Sequence, residues 1–185
     1  MTLSEARLPA QADLPLLTTR RLLLRAMQLS DAPDVYAYAK VPEVLRFTTG
    51  TPPKNLDETV DFLRHALSAP ADRMWAIQQR GAPAVIGALE FSLQSRTCGE
   101  IHYALAMPFW GQGLMTEAVN ALCAWLFQTL PSLDEITTTV VEANVGSARV
   151  LEKCGFTRTA RKQEVWAKEP EPVPLFTFRR ERKAE

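Results

Sequence analysis

The stretch that most limits what this chain can fold into is Trp110-Gly111-Gln112-Gly113-Leu114-Met115-Thr116-Glu117-Ala118. It follows a strand-like run, Ile101 to Met107, and opens a helical pattern that reaches about Leu130. Two glycines at a strand-to-helix junction let the backbone approach a ligand closely, with free helix N–H groups aimed at it. The helix dipole favours negative charge at the same place, so a phosphate or pyrophosphate is the natural guest. A second signal follows: a strand-like run Ile136–Glu142, then Asn144-x-x-Ser147, then Leu151-Glu152-Lys153-Cys154-Gly155-Phe156. Each piece has a plain structural reading, since glycines can simply end a strand and Asn144 can simply cap a helix. In this order and at this separation the two point together to a site.

The rest of the chain supplies a frame. Arg21-Leu-Leu-Leu-Arg25 reads as a first strand, and Ser30 as the cap of a helix through Ala39 with Pro33 in its first turn. After the turn-rich Phe47–Pro53, Asn55 and Glu58 form a capping box for a helix to about Ser68, with Val60, Leu63 and Leu67 at helical spacing. Strands Met74–Arg80 and Val85–Ser92 are joined by Gly81-Ala82-Pro83, and a third, Glu100–Met107, pairs with the second. A short helix from about Gly146 ends at Gly155, and Lys162–Ala167 and Leu175–Arg179 form a closing hairpin. The order β-α-α-β-β-β-α-β-α-β-β describes an α/β (α+β) fold, a mixed, mostly antiparallel sheet flanked by helices. Residues 1–16, with Pro9 and Pro15 and little periodicity, read as a flexible N-terminal arm, and residues 17–182 as a single domain.

Composition narrows the function. Lys plus Arg and Asp plus Glu both number 21, so the basic excess expected of a nucleic-acid or membrane binder is missing. Cys98, Cys123 and Cys154 are scattered, and with His65 and His102 they offer no metal-ligand spacing. Unpaired thiols and an N-terminus without a basic start and apolar run suggest a cytoplasmic protein. No run is long and apolar enough to span a membrane.

Taken together, Thr19-Arg20-Arg21-Leu-Leu-Leu-Arg25, Ser30-Asp31-Ala32, the Trp110–Ala118 core and the Asn144–Phe156 segment resemble the GNAT superfamily of N-acetyltransferases. Within it they are similar to the ribosomal-protein-alanine (Rim-type) branch, from about Leu17 to Arg180. The resemblance implies acetyl-CoA as donor, a primary amine as acceptor, no metal, and direct transfer in a ternary complex. The acceptor is then a protein N-terminus or a small-molecule amine, and a homodimer is compatible with the family. The resemblance also implies that backbone N–H groups of Gly111, Gln112, Gly113, Leu114, Met115 and Thr116 hold the CoA pyrophosphate. The pantetheine arm then lies in a slot between splayed strands, paired to Leu105, Ala106 and Met107, with Asn144 bonding it from the far side. Glu100 stands where related enzymes often place a base, and Ser147 matches the serine that Rim-type enzymes use at the leaving thiolate.

Glu164 is a second candidate base, and an exposed strand-end carboxylate is the plain alternative for Glu100. By strand alternation Tyr103 faces away from Glu100 and reads as core, while His102 shares the face of Glu100 and reads as a packed polar residue. Glu117 reads as a helix-start charge. A departure from the branch lies in the closing hairpin, where Lys168-Glu-Pro-Glu-Pro-Val-Pro174 replaces a short turn with a His-Asp pair.

Amine chemistry favours an α-amine. A lysine near pKa 10.4 costs roughly 4–5 kcal/mol to deprotonate at pH 7, an α-amino group near 7.7–8 only about 1. Two rival readings remain at this point. One is a CoA-binding sensor or interaction module without a competent base. The other is a dinucleotide-binding oxidoreductase, because Gly111-x-Gly113-x-x-Thr116 approaches G-x-G-x-x-G and Glu142 ends the next strand. Against the latter, Thr116 replaces the third glycine, the loop comes late, and no second βαβ half follows.

Overall fold

A computed structural model describes residues 8–69 and 72–183. Its sheet has eight strands: β1 (Leu17–Thr18), β2 (Leu22–Ala26), β3 (Asp72–Gln79), β4 (Val85–Leu93), β5 (Cys98–Leu105), β6 (Glu135–Val141), β7 (Thr157–Glu164) and β8 (Val173–Glu181). They lie in the order β1-β2-β3-β4-β5-β6-β8-β7. Every neighbouring pair is antiparallel except β5–β6, which is parallel because α4 (Leu114–Thr129) makes the crossover between them. The remaining helices are α1 (Ala32–Ala39), α2 (Pro42–Leu45), α3 (Leu56–Ser68) and α5 (Val145–Lys153). No helix among the described residues is long and apolar enough to cross a membrane.

Alternation along the strands divides the core in two. Leu22, Leu24, Trp75, Ile77, Leu89, Phe91 and Ile101 face α4 and α5. Met74, Ala76 and Val85 face α1 and α3, where Val35, Tyr38 and Leu63 meet them. Covering on both faces explains why β3 is buried over four consecutive residues, Met74–Ile77. Trp75 packs edge-on against Trp125 at 5.5 Å between ring centres.

Asn55 caps α3, its side chain accepting the Glu58 N–H at 2.9 Å, but the expected capping box is only half formed: the Glu58 carboxylate reaches past the cap to the Lys54 N–H at 2.8 Å. Ser30 does not cap α1. Asp31 stands at the N-cap of α1 without a side-chain cap bond; its carboxylate instead closes the capping box of the preceding 3-10 turn by accepting the Gln28 N–H at 2.8 Å, and it receives two Arg25 bonds of 2.7 Å. The expected N-terminal arm, residues 1–16, falls only partly among the described residues. Residues 1–7 lie outside the described residues, but from residue 8 onward the chain is docked. Gln11 donates to the carbonyls of Met27 (3.2 Å) and Met74 (2.7 Å) and accepts the Met74 N–H (2.9 Å), while Leu14 is buried. Strand β7 begins at Thr157, five residues before the expected Lys162, and β1 and α2 were not expected.

Candidate functional site

Strands β5 and β6 pair only at Cys98–Glu135, Gly99–Ile136 and Glu100–Thr137. Beyond that point β5 stays with β4 as far as Gly87–Leu105, and β6 stays with β8 as far as Val141–Leu175. A wedge therefore opens between them, with Glu100 at its apex. The Ala106 N–H goes to the Ile86 carbonyl on β4 (2.8 Å), so by alternation the backbone groups of Tyr103 and Leu105 face the wedge. The Leu105 carbonyl is taken by the Trp110 indole N–H at 2.6 Å, which leaves its N–H as the donor. Met107 opens a 3-10 turn through Phe109. Met107, Trp110 and Val145, all exposed, flank the two walls.

The glycine loop closes the open end. Gly111 and Gly113 have φ of 72° and 73°, a region costly to residues with a Cβ, and Gly113 is the N-cap of α4. The first α4 rung runs from the Glu117 N–H to the Gly113 carbonyl at 3.1 Å, so Leu114, Met115 and Thr116 present N–H groups with no acceptor inside the helix. The side chains of Leu114 and Met115 are buried in the core, which leaves their backbone to serve a ligand.

The loop is braced from outside. Glu117 accepts from the Thr19 hydroxyl (2.6 Å), the Arg21 N–H (2.8 Å) and the Arg21 guanidinium (2.7 Å), while Arg21 also donates to the Gln112 carbonyl at 2.9 Å. Burial pushes the Glu117 carboxyl up, but the Thr19 and Arg21 bonds outweigh it and hold the group below its ordinary value. A carboxylate that would repel an anion at the helix start is thereby neutralised.

At the apex, Glu100 Oε1 lies 3.7 Å from His102 Nε2, and half of the His102 side chain is exposed. His102 is thus an accessible partner of Glu100 and not the packed residue expected. The neighbouring His102 imidazole lowers the Glu100 carboxyl, and Glu100 in turn raises His102 against the opposing effect of burial. Glu90, directly across from His102 on β4, is raised by burial.

On the far wall, Asn144 caps α5, its side-chain oxygen accepting the Ser147 N–H at 3.1 Å. This commits the oxygen to the cap and leaves the amide nitrogen as a donor. The Ser147 and Tyr103 hydroxyls lie 2.7 Å apart. Tyr103 packs against the core as alternation predicts, but its hydroxyl reaches across the wedge, and burial pushes its pKa up. Glu164 is occupied by Lys162 at 2.6 Å and by the Trp166 indole at 3.3 Å. Burial pushes the Cys154 thiol up to about 11 and the Cys123 thiol to about 12, so both are protonated at neutral pH. Among the described residues no group of three or more His, Cys, Asp or Glu is placed to hold a metal.

The fold thus brings Leu105, Met107, the loop Gly111, Gln112, Gly113, Leu114, Met115 and Thr116, and Asn144 and Ser147 to one wedge with Glu100 at its closed end, whereas Ala106, expected to pair with the substrate arm, gives its N–H to Ile86 on β4. Missed from the sequence were the Tyr103–Ser147 pair, the His102–Glu100 contact and the Arg21–Glu117 brace. The Thr19-Arg20-Arg21 segment was visible, but nothing local links it to a residue 96 positions away.

The model of the GNAT acetyltransferase domain family matches residues 21–157. An uncharacterized N-acetyltransferase p20 of Bacillus licheniformis is 32% identical over 146 residues, covering 76% of this chain and 81% of that protein. Among solved structures, the ribosomal L7/L12 alpha-N-protein acetyltransferase RimL in complex with coenzyme A superposes with a TM-score of 0.80 at 18% identity, covering 90% of this chain and 98% of that one. The spermidine N-acetyltransferase of Vibrio cholerae, in complex with CoA and spermine, gives 0.75 at 18%, covering 88% and 96%. The single parallel pair, the wedge and the family match together displace the oxidoreductase reading: the chain belongs to the GNAT acetyltransferase family.

Proposed function

We propose that the protein transfers acetyl from acetyl-CoA to a primary amine by direct attack in a ternary complex, with Glu100 as the base. The observation that carries this reading is the parting of β5 and β6 immediately after the Glu100–Thr137 pair, with a glycine-opened helix N-terminus at the other end of the wedge. Bound acetyl-CoA supplies an activated thioester. The N–H groups of Gly111 to Thr116 hold its pyrophosphate, for which the left-handed glycines and the helix dipole are suited. The Leu105 N–H on one wall and the Asn144 amide nitrogen on the other hold the arm, and the Met107 backbone continues the first wall.

Glu100 accepts the proton lost by the attacking amine, directly or through a water. As the new C–N bond forms and the C–S bond breaks, the departing sulfur receives a proton or a hydrogen bond from Ser147, whose hydroxyl Tyr103 orients. A protein N-terminal α-amine or a small-molecule amine both satisfy this chemistry. Cys123 and Cys154 do not act as relays, since burial keeps both protonated. Steady-state kinetics of Glu100→Gln test the assignment. The turnover number falls by about 10²-fold or more while KM for acetyl-CoA holds, and an unchanged turnover removes Glu100 as the base.

A further inference from the structure

The β7–β8 hairpin is fastened to the segment that follows α2. Lys168 Nζ donates to the backbone carbonyls of Leu45 (2.9 Å), Gly50 (3.0 Å) and Arg46 (3.4 Å). An ammonium has three N–H donors, so one segment fills its whole hydrogen-bonding capacity and fixes the geometry of both partners. The same ammonium stands 5.8 Å from the centre of the Trp166 ring. Beneath the crossing, Trp166, Val141, Val173 and Leu175 form a small buried cluster of their own, with Phe47 packed against it.

Beside this cluster is a cavity of about 310 Å³ walled by Phe47, Val141, Trp166, Pro172 and Pro174. Its charged lining is Arg46 with Glu169 and Glu171, a balance of one negative charge that disfavours acidic groups. The cavity meets β6 at Val141, which by alternation shares a face of the strand with Thr137. Val141 lies four residues beyond Thr137, the partner of Glu100, or about 13 Å along the strand at about 3.3 Å per residue. An acceptor whose amine sits near Glu100 therefore runs along β6 towards these apolar walls.

We infer that this cavity selects the acceptor by taking an apolar, preferably aromatic, group carried several bonds from the reacting amine, and that Lys168 is the positioning residue that keeps it formed. The inference rests on the amine-acetylating reading above. Neither a phosphate nor a carboxylate suits walls of this kind, and a short aliphatic amine leaves them unfilled.

The test compares acceptors in pairs with the full-length protein: 4-phenylbutylamine against butylamine, and a tripeptide amide ending in phenylalanine against the same peptide ending in glycine. The expected result is a kcat/KM about tenfold or more higher for the phenyl member of a pair. Whichever pair shows the preference names the source of the acceptor, small molecule or peptide. Lys168→Met reduces that preference through KM for the phenyl acceptor more than through kcat, and Lys168→Arg restores part of it. Equal kcat/KM within both pairs, or an undiminished preference in both Lys168→Met and Phe47→Ala, overturns the inference.

If no amine is acetylated, it is the catalytic reading that fails, and tryptophan fluorescence then decides the pocket. 4-Phenylbutylamine, but not butylamine, should change the emission of the wild-type protein and not that of Trp166→Phe. The lack of such a change overturns the pocket as well.

Discussion

At Asn144 the side-chain oxygen accepts the Ser147 N–H at 3.1 Å, and the amide nitrogen is the group proposed to hold the substrate arm. Substitutions separate the two roles. Asn144→Ala loses both, which costs about 1 kcal/mol of stability and about 2–4 °C in Tm, together with affinity for acetyl-CoA. Asn144→Ser keeps the cap, so its Tm stays near the wild-type value while calorimetry shows the same loss of affinity. Wild-type affinity in the serine variant would remove the amide nitrogen from the site.

The Glu100–His102 pair makes a prediction about pH. The Glu100 carboxyl is lowered, so its contribution is present above the ordinary value of 4.5 and is lost as pH falls through the lowered one. His102 is raised, so its contribution is present below 6.5 and is lost as pH rises through the raised value. Between those limits His102→Ala should lower Tm most. The pair is half exposed, so the effect is about 0.5 kcal/mol, or roughly 1–2 °C, and it should shrink by pH 9. A difference in Tm that stays flat from pH 5 to 9 contradicts the pairing.

Among the elements, the glycine-opened helix was the most legible in the sequence, because both its signals are local. Gly111 and Gly113 mark the left-handed turn, and the apolar spacing after them marks the buried face of α4. Gly113→Ala tests this directly. A Cβ there has room, 3.7 Å from Arg21 Nη2, so the penalty comes from φ of 73° and amounts to about 1 kcal/mol. Since the strain falls on the proposed pyrophosphate loop, affinity for acetyl-CoA measured by calorimetry should fall more steeply than Tm. Unchanged affinity would detach the loop from the cofactor.

Less legible were α2, which is only four residues long, and β7, whose sequence Thr-Arg-Thr-Ala-Arg-Lys-Gln-Glu shows no apolar alternation. That strand lies at the edge of the sheet with seven of its eight residues exposed, so hydrophobic patterning had nothing to report. Its place is set by pairing with β8 instead.

Across the whole molecule the site depends on contacts distant in sequence, and these are what the sequence hid. The wedge exists because β5 follows β4 while β6 follows β8, a divergence that no single segment encodes. Arg21 reaches Glu117, Tyr103 reaches Ser147, and Lys168 reaches Leu45. Each of these residues was visible, but its partner follows only from the fold. The family pattern supplied the wedge as an expectation, and the strand pairing gives it its boundaries.

The apex of the wedge is also sensitive to packing. Gly99, one residue before Glu100, is so close to the buried Phe91 ring that an added Cβ would sit 2.2 Å from it. Gly99→Ala should therefore cost about 1–3 kcal/mol, read as a fall in Tm. A Tm equal to that of the wild type would show that β4 and β5 yield more readily than their packing suggests.

If the wedge transfers acetyl to an amine, release of CoA must depend on that amine. The protein is incubated with acetyl-CoA and a panel of α-amino peptides and small amines, while released CoA thiol and acetylated amine are quantified in parallel. The expected result is release that depends on the amine, with equal amounts of CoA and acetylated product. Normal acetyl-CoA binding with no amine-dependent release for any member of the panel would contradict it and leave the wedge as a cofactor-binding site alone.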